Sequence, residues 1–549
     1  MKIRKKSVLL ILILGVAFVL RVWRLGENPP HLTPDEAALG YNAYSILKTG
    51  RDEYGELLPL VFKSFGDYKP GLYVYAAAPS VAIFGLNEFA VRLPSAIAGV
   101  VAVYLLFLIV EELFGLLNPR LKYIAGLMFA ISSWHIHFSR GAWEVNLALT
   151  FTLAGVLFFL KSMKKPKYLF FSALFFGLSL LSYQGAKLSS TIVLLILAGL
   201  YLKKIFRFNK KLVVSSVIVG FAVCLPVVLT LFTGRAGRLK VFSVLSYRRP
   251  VEYLENQLAQ GGEKVGDLTY YLFHSEALNI SRGIMGRWFN HYSGRFLFFE
   301  GDWQNPRHSA TNHGVLLLAD GLFLVIGVFA LFKVKDKKVK WFVFLWLLLS
   351  PLPSALSRDQ VHAVRAFNMV IPYVILASLG VSVFWKKSIL VKAATFGLYG
   401  LSFVYFLDAY FVHLPVHDSA YWEYGYKQAV EVVSKNKSRY EKVHFRQSFA
   451  QPYIYFLFYS KYPPQDYQKQ ANLIESEYGD VGRVEKTDNV YFLPIDWSVN
   501  RGDAGTLFVA DPVRIPPEDS EDGDEFEVIA EIKYLDGKSV SQRVVGVKK

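Results

Sequence analysis

Residues His31–Arg92 read HLTPDEAALGYNAYSILKTGRDEYGELLPLVFKSFGDYKPGLYVYAAAPSVAIFGLNEFAVR, and this stretch decides how the chain is arranged. It follows an apolar N-terminal run and precedes a long series of others. It carries an adjacent carboxylate pair (Asp35, Glu36), a second acidic cluster (Asp52, Glu53) and a Lys-Pro hinge (Lys69, Pro70). A water-exposed connection of this length between apolar runs is uncommon and is usually functional. It is expected to form one wall of a site at a membrane surface.

The surrounding composition supports that placement. The chain has 549 residues, 53% of them hydrophobic, and the apolar excess lies in blocks of near membrane-spanning length. Candidate spans are 7–23, 94–114, 122–138, 145–160, 168–183, 187–202, 212–232, 314–332, 341–356, 366–385 and 391–411. The net charge of +17 does not call for a nucleic acid partner. Most Lys and Arg sit in short loops between apolar runs, which is the positive-inside pattern. The one cysteine, Cys224, lies in an apolar run, which excludes an intrachain disulfide and a cysteine metal site. Met1–Leu20 has a basic start and no small-residue cleavage site before Arg24, so it is expected to be an uncleaved first span with a cytoplasmic N-terminus.

A further apolar run, 71–86, sets the parity. The basic loops Lys161–Lys167, Lys203–Lys211, Lys333–Lys340 and Lys386–Lys392 fall on the side of the N-terminus only if this run does not cross. The run is short, contains Pro79 and follows Pro70, which suits an interfacial or re-entrant helix. The expected fold is therefore an α-helical polytopic membrane protein of about eleven transmembrane helices, with juxtamembrane helices in its long first outer loop. Outer loops are expected at 24–93 and 233–313. The tail from about 412 changes character: a helical stretch Tyr421–Ser434 precedes β-rich runs Val443–Gln447, Asn489–Pro494, Thr506–Ala510 and Glu527–Tyr534. We divide the chain into a membrane domain, 1–411, and a soluble α/β domain on the outer face, 412–549.

Four groups of residues can carry chemistry. Thr33 and Pro34 place Asp35 and Glu36 in the first turn of a helix that runs to Gly50. There they complement the helix dipole, worth about 0.3–1 kcal/mol. A partly desolvated carboxylate beside the first span also has a raised pKa suited to general-base work. Lys69 either snorkels to lipid headgroups or meets a phosphate, and Arg92 either anchors the next span at the interface or joins it. In the short outward loop SRGAWE, Arg140 and Glu144 stand four residues apart, close enough to pair on a helical turn, while an acidic group at this depth is more often functional than not. In SRDQVHAVR, Arg358, His362 and Arg365 are spaced to cluster on one helical face, where three cations can hold a phosphate. Gly-rich phosphate loops, HExxH and nucleophile elbows are absent.

The order of these motifs resembles the C-type membrane glycosyltransferases: Asp-Glu after the first span, then Lys-Pro, RLPSA, Ser-Arg-x3-Glu and His-x2-Arg. The branch most similar holds the protein O-mannosyltransferases and the lipid A aminoarabinose transferase. The resemblance spans roughly residues 1–411 and implies a sugar donor on a polyprenyl phosphate. It implies Asp35 as catalytic base with Glu36 beside it, and a second acidic position at Glu144, where relatives often carry Asp. Lys69, Arg92, Arg140, Arg358, His362 and Arg365 are the candidate cations for the donor phosphate. No cofactor is required, although Asp35 and Glu144 can share a divalent cation. The expected acceptor is a hydroxyl of a protein, lipid or cell-envelope glycan, selected by the tail. The rival readings are a lipid-linked glycan flippase, an oligosaccharide ligase or polymerase, and a non-catalytic assembly protein. A flippase predicts charges in mid-span, whereas here they gather at outer ends.

Overall fold

The computed structural model describes residues 2–230, 232, 243–246, 248–385, 387–475 and 481–549. The side chains of the basic start (Lys2, Arg4, Lys5, Lys6), Lys386 of the last basic loop and residues 233–242 of the second outer loop lie outside them.

The membrane half is helical. Its elements are α1 (Lys2–Val22), α2 (Pro34–Thr49), α3 (Leu72–Phe84), α4 (Glu88–Phe114), α5 (Leu121–Ala130), α6 (Ser133–Arg140), α7 (Glu144–Ser162), α8 (Tyr168–Ser182), α9 (Ala186–Ile205) and α10 (Lys210–Leu229). After the segment 233–313, with α11 (Val251–Gly261) and α12 (Glu276–Asn290), come α13 (Leu318–Phe332), α14 (Lys337–Leu349), α15 (Val370–Phe384) and α16 (Ile389–Asp408). Among the described residues, six helical segments are long and apolar enough to cross a membrane: 88–114, 144–162, 186–205, 210–229, 367–384 and 389–417. The other expected spans form shorter or interrupted helices. The run at 71–86 yields α3, 13 residues and about 20 Å long, too short for a hydrocarbon core of about 30 Å.

Two interruptions have visible causes. The expected span 122–138 is two helices, α5 and α6, joined through Ile131 and Ser132. The break interrupts the helical hydrogen bonding of Phe129 and Ala130, leaving Phe129 O only a 3.4 Å bond from Ser132 N–H, and Arg21 at the end of α1 donates to both carbonyls, at 3.3 and 3.0 Å. The Ser132 hydroxyl then accepts from His135 N–H and caps α6. The run 341–356 ends as α14 at Leu349, just before Pro351, and continues only as the turn Leu352–Ala355.

The C-terminal part is built on a six-stranded sheet. Its order is β6 (Lys486–Thr487), β7 (Val490–Leu493), β3 (Lys442–Arg446), β8 (Thr506–Ala510), β10 (Val540–Val547) and β9 (Phe526–Lys533). Strand β3 runs parallel to both neighbours, and the remaining pairs are antiparallel. Two small hairpins accompany it: β1 (Val61–Ser64) with β2 (Asp67–Pro70), and β4 (Leu473–Ile474) with β5 (Arg483–Val484). The helices here are α17 (Tyr426–Asn436), α18 (Pro452–Tyr459) and α19 (Pro464–Gln470).

This sheet does not stand apart from the segment 24–93. Tyr41, Tyr73 and Val91 belong to the same buried cluster as Tyr453, Phe456, Phe492 and Val509. Helix α18 presses so closely on α2 that a Cβ on Gly40 would lie 2.5 Å from Val91 Cγ2 and 2.6 Å from Phe458 Cε2. Hydrogen bonds stitch the seam: Tyr455 Oη to Leu32 O (2.9 Å), Tyr41 Oη to Tyr462 O (3.1 Å) and Gln468 Nε2 to Asp52 O (2.8 Å). Lys427 pairs with Glu88 at 2.8 Å across the same seam.

Candidate active site

The start of α2 sets the site. Thr33 is the N-cap: its hydroxyl accepts from Glu36 N–H at 3.2 Å, and its own N–H donates to Glu36 Oε2 at 2.9 Å. This capping box fixes the first turn, and Gly50, with φ +69°, closes the helix. Successive helical residues point about 100° apart. The adjacent carboxylates therefore part company. Asp35 turns outward with its side chain 56% exposed, while Glu36 turns into the interior at 2% exposure.

Glu36 is held by four contacts. Besides the Thr33 N–H, Oε1 accepts from Arg92 Nε (3.0 Å) and from Ala142 N–H (2.8 Å), and Oε2 lies 3.4 Å from Arg92 Nη2. Arg92 is itself fully buried, and its remaining N–H groups donate to the carbonyls of Leu25 (3.2 Å), Pro29 (2.8 Å) and His31 (2.6 Å). Arg140 is engaged in the same way. It donates to Leu20 O (2.9 Å), Arg24 O (3.4 Å) and Asn28 O (2.9 Å) and stacks on Phe411 at 4.8 Å. The chain between α1 and α2 leaves regular structure inside the protein, and its buried carbonyls need donors. The expectation that Arg92 and Arg140 bind a donor phosphate is corrected on this ground, because their guanidinium groups are turned to protein carbonyls. The expected Arg140–Glu144 pair on a helical turn is also replaced, since α6 stops at Arg140 and Gly141 is extended.

Lys69 meets the exposed member of the carboxylate pair. The β1–β2 hairpin carries it against Asp35 in a direct ion pair, with Phe65 packed 5.4 Å below the ammonium. Asp35 is thus paired and exposed at the edge of the interior, not desolvated as expected. On its other side Lys69 acts on Glu53, which is fully buried and exchanges two 3.0 Å hydrogen bonds with Asn42. Burial pushes the Glu53 carboxyl up to about 8, with neighbouring Asp52 adding to the rise. Glu144 begins α7 two residues beyond the Ala142 N–H that binds Glu36, so Glu36 ties this half-buried carboxylate to the start of α2. Both acidic groups act on buried Tyr73, whose hydroxyl donates to Val91 O at 3.0 Å.

The residues Arg358, His362 and Arg365 do not share a helical face, because 357–365 is a succession of turns. Arg358 is exposed and lines a cavity of about 510 Å³ with Asn279, Arg287, Gln304 and Asp359. Arg365 Nη1 donates to Asp359 Oδ2 at 2.6 Å. His362 turns toward His308, with ring centroids 4.9 Å apart. Asp302, His308 and His362 place ligand atoms within 4.8 Å of one another. This metal-compatible group includes neither Asp35 nor Glu144. Sequence reading missed Arg287, Asp302 and His308, which lie in the second outer loop where local spacing gives them no partners.

Residues 68–230 match the family model of dolichyl-phosphate-mannose-protein mannosyltransferase. The crystal structure of ArnT from Cupriavidus metallidurans in the apo state superposes with a TM-score of 0.59 at 12% identity, covering 98% of each chain. Its form bound to undecaprenyl phosphate gives 0.57 at 11% identity, covering 97% of each. The fold is similar to that of ArnT over nearly the whole chain. No curated protein matches the sequence. The likeness of fold to ArnT extends past residue 411, so the C-terminal part has a structural counterpart there, contrary to the expectation that the resemblance ends with the membrane domain.

Proposed function

We propose that the protein is an inverting glycosyltransferase that moves a hexose or pentose from a polyprenyl-phosphate donor to an acceptor hydroxyl on the outer face of the membrane. The observation that carries this reading is the exposed Asp35 carboxylate paired with Lys69, a base and a phosphate-binding cation side by side at the lip of the first outer loop. The ligand of the similar ArnT structure, undecaprenyl phosphate, supports the class of donor.

In this reading the donor phosphate draws Lys69 away from Asp35 as it arrives. The freed carboxylate takes the proton of the acceptor hydroxyl while that oxygen attacks the anomeric carbon from the face opposite the phosphate. The carbon–oxygen bond to the phosphate breaks, and its electron pair leaves with the lipid phosphate, where Lys69 meets the developing charge. Glu36 positions Asp35 without reaching the substrate. Glu144 orients the acceptor or a cation beside it. Arg358, at the cavity beside the 357–365 loop, provides a second cation for the lipid phosphate. Residues 1–411 form the transferase domain and 412–549 an extracytoplasmic domain packed on the first loop, with the N-terminus in the cytoplasm. The charged loops support this orientation. The acceptor is a protein, lipid or envelope glycan.

The test is to incubate the purified chain in lipid nanodiscs with a panel of labelled polyprenyl-phosphate sugars and acceptor extracts. Release of lipid phosphate with transfer of label supports the reading. Transport of donor without release would support the flippase instead.

A further inference from the structure

The second outer loop and the loop 357–365 are joined by side chains that the proposed transfer does not use. Asp302 is 1% exposed and His308 8% exposed, and His362 completes the group. Every oxygen of the Asp302 carboxylate is oriented. Oδ1 accepts from Asn305 N–H and Nδ2, both at 3.1 Å, and Oδ2 accepts from Ala363 N–H at 2.8 Å and faces His308 Nδ1 at 2.9 Å. Around His362 a second layer is fixed too: its N–H donates to His291 Nε2 at 3.2 Å, and His291 Nδ1 donates to Arg287 O at 2.7 Å.

We propose that Asp302, His308 and His362 bind one divalent transition ion of the zinc class, which ties the 302–308 segment to the 357–365 loop and positions Arg358 and Asp359 over the adjoining cavity. Two imidazole nitrogens and one carboxylate suit zinc or cobalt, whereas magnesium and calcium take oxygen ligands. In a tetrahedral site with bonds of about 2.0–2.1 Å, ligand atoms stand about 3.3 Å apart. A group already within 4.8 Å needs only small side-chain rotations to close on an ion. The hydrogen bonds to Asp302 and around His362 are the outer-shell contacts that orient metal ligands. The three residues are positioning residues: they fix the loop that carries Arg358.

The experiment uses the full chain in detergent or nanodiscs, stripped with a chelator, and no sugar donor, so its outcome is independent of the transferase reading. Zinc is measured by elemental analysis, and Co²⁺ loading is followed by its visible absorption. Wild type is expected to take up about one ion per chain, to gain thermal stability with Zn²⁺ and to show the absorption of nitrogen-ligated Co²⁺. His308→Ala and His362→Ala should each lose the ion, and Asp302→Asn should weaken binding about 10–100-fold or more. His413→Ala removes one ring of an exposed histidine pair elsewhere, 5.5 Å from His417, and should leave uptake unchanged. Wild-type protein that takes up no metal overturns the proposal whatever the variants do. So does uptake that persists in both His308→Ala and His362→Ala, or that disappears in His413→Ala alone.

Discussion

Two walls of the molecule hold their arginines differently. Beside residues 20–92, Arg92 and Arg140 are buried and donate to carbonyls of the connection between α1 and α2. In the wall formed by α12 and the loop 357–365, Arg287 Nε also donates to a carbonyl, that of Ala355 at 3.0 Å, while Arg358 is exposed at the cavity. The difference follows from where the chain leaves regular structure. The first connection does so inside the protein, where each unmet carbonyl costs about 1–3 kcal/mol. The second is only partly inside: Arg358 and Gln360 are exposed, while Ser357, Val361 and Ala363 are buried. An arginine near a buried irregular segment is therefore a structural donor first.

The largest effect that would sharpen this contrast is on stability. Arg92→Ala leaves the Glu36 carboxylate buried without its cation, and removing one partner of a buried pair costs about 3–5 kcal/mol. Arg92→Lys should recover little, because one ammonium cannot reproduce a fork that reaches Glu36 and three carbonyls. Denaturation in detergent reads the effect, and a loss below about 1 kcal/mol would remove the buried-arginine account.

A second expected effect concerns pH. Glu53 keeps its proton in the folded protein up to about pH 8, whereas its ordinary value is 4.5. Between these values the folded state binds more protons than the unfolded, so this contribution is complete below the ordinary value and is lost as pH rises through about 8. The slope is at most about 1.4 kcal/mol per pH unit. Glu53→Gln should flatten the fall in melting temperature across that window and raise stability on its alkaline side. A variant with the wild-type pH profile would place the proton elsewhere.

The smaller effect lies on the cavity wall. Arg358→Ala should raise the apparent KM for the lipid-linked sugar about 10-fold or more, the value of one charge-assisted contact. Arg365→Ala should do less, since its guanidinium holds Asp359, and Arg365→Lys less again. Equal KM values in wild type and Arg358→Ala would dissolve the contrast between the walls.

How much of this was legible in the sequence depended on how local the cause was. The N-cap at Thr33 and the stop at Gly50 are written within 18 residues, and the structure forms them, adding the reciprocal Glu36 bond of a capping box. Strand β8 begins and ends at the expected Thr506 and Ala510, and β3, β7 and β9 lie within a residue of their runs. Strand β10, VSQRVVGV, was missed because Ser541, Gln542 and Arg543 interrupt the apolar signal, although the structure buries all three. The duties of Arg21, Arg92 and Arg140 were not legible, because each answers carbonyls many residues away. The packing of α18 on α2 was hidden for the same reason: nothing near Gly40 announces a ring from residue 458.

The division of labour between Asp35 and Glu36 is the centre of the account, and turnover at saturating lipid-linked donor tests it most directly. Asp35→Asn preserves shape but cannot take a proton, so turnover should fall about 10²–10⁴-fold while donor binding and folding survive. Glu36→Gln should instead lower stability, with a smaller loss of turnover in the fraction that remains folded. Near-normal turnover in Asp35→Asn, or a larger catalytic loss in folded Glu36→Gln, would contradict the assignment.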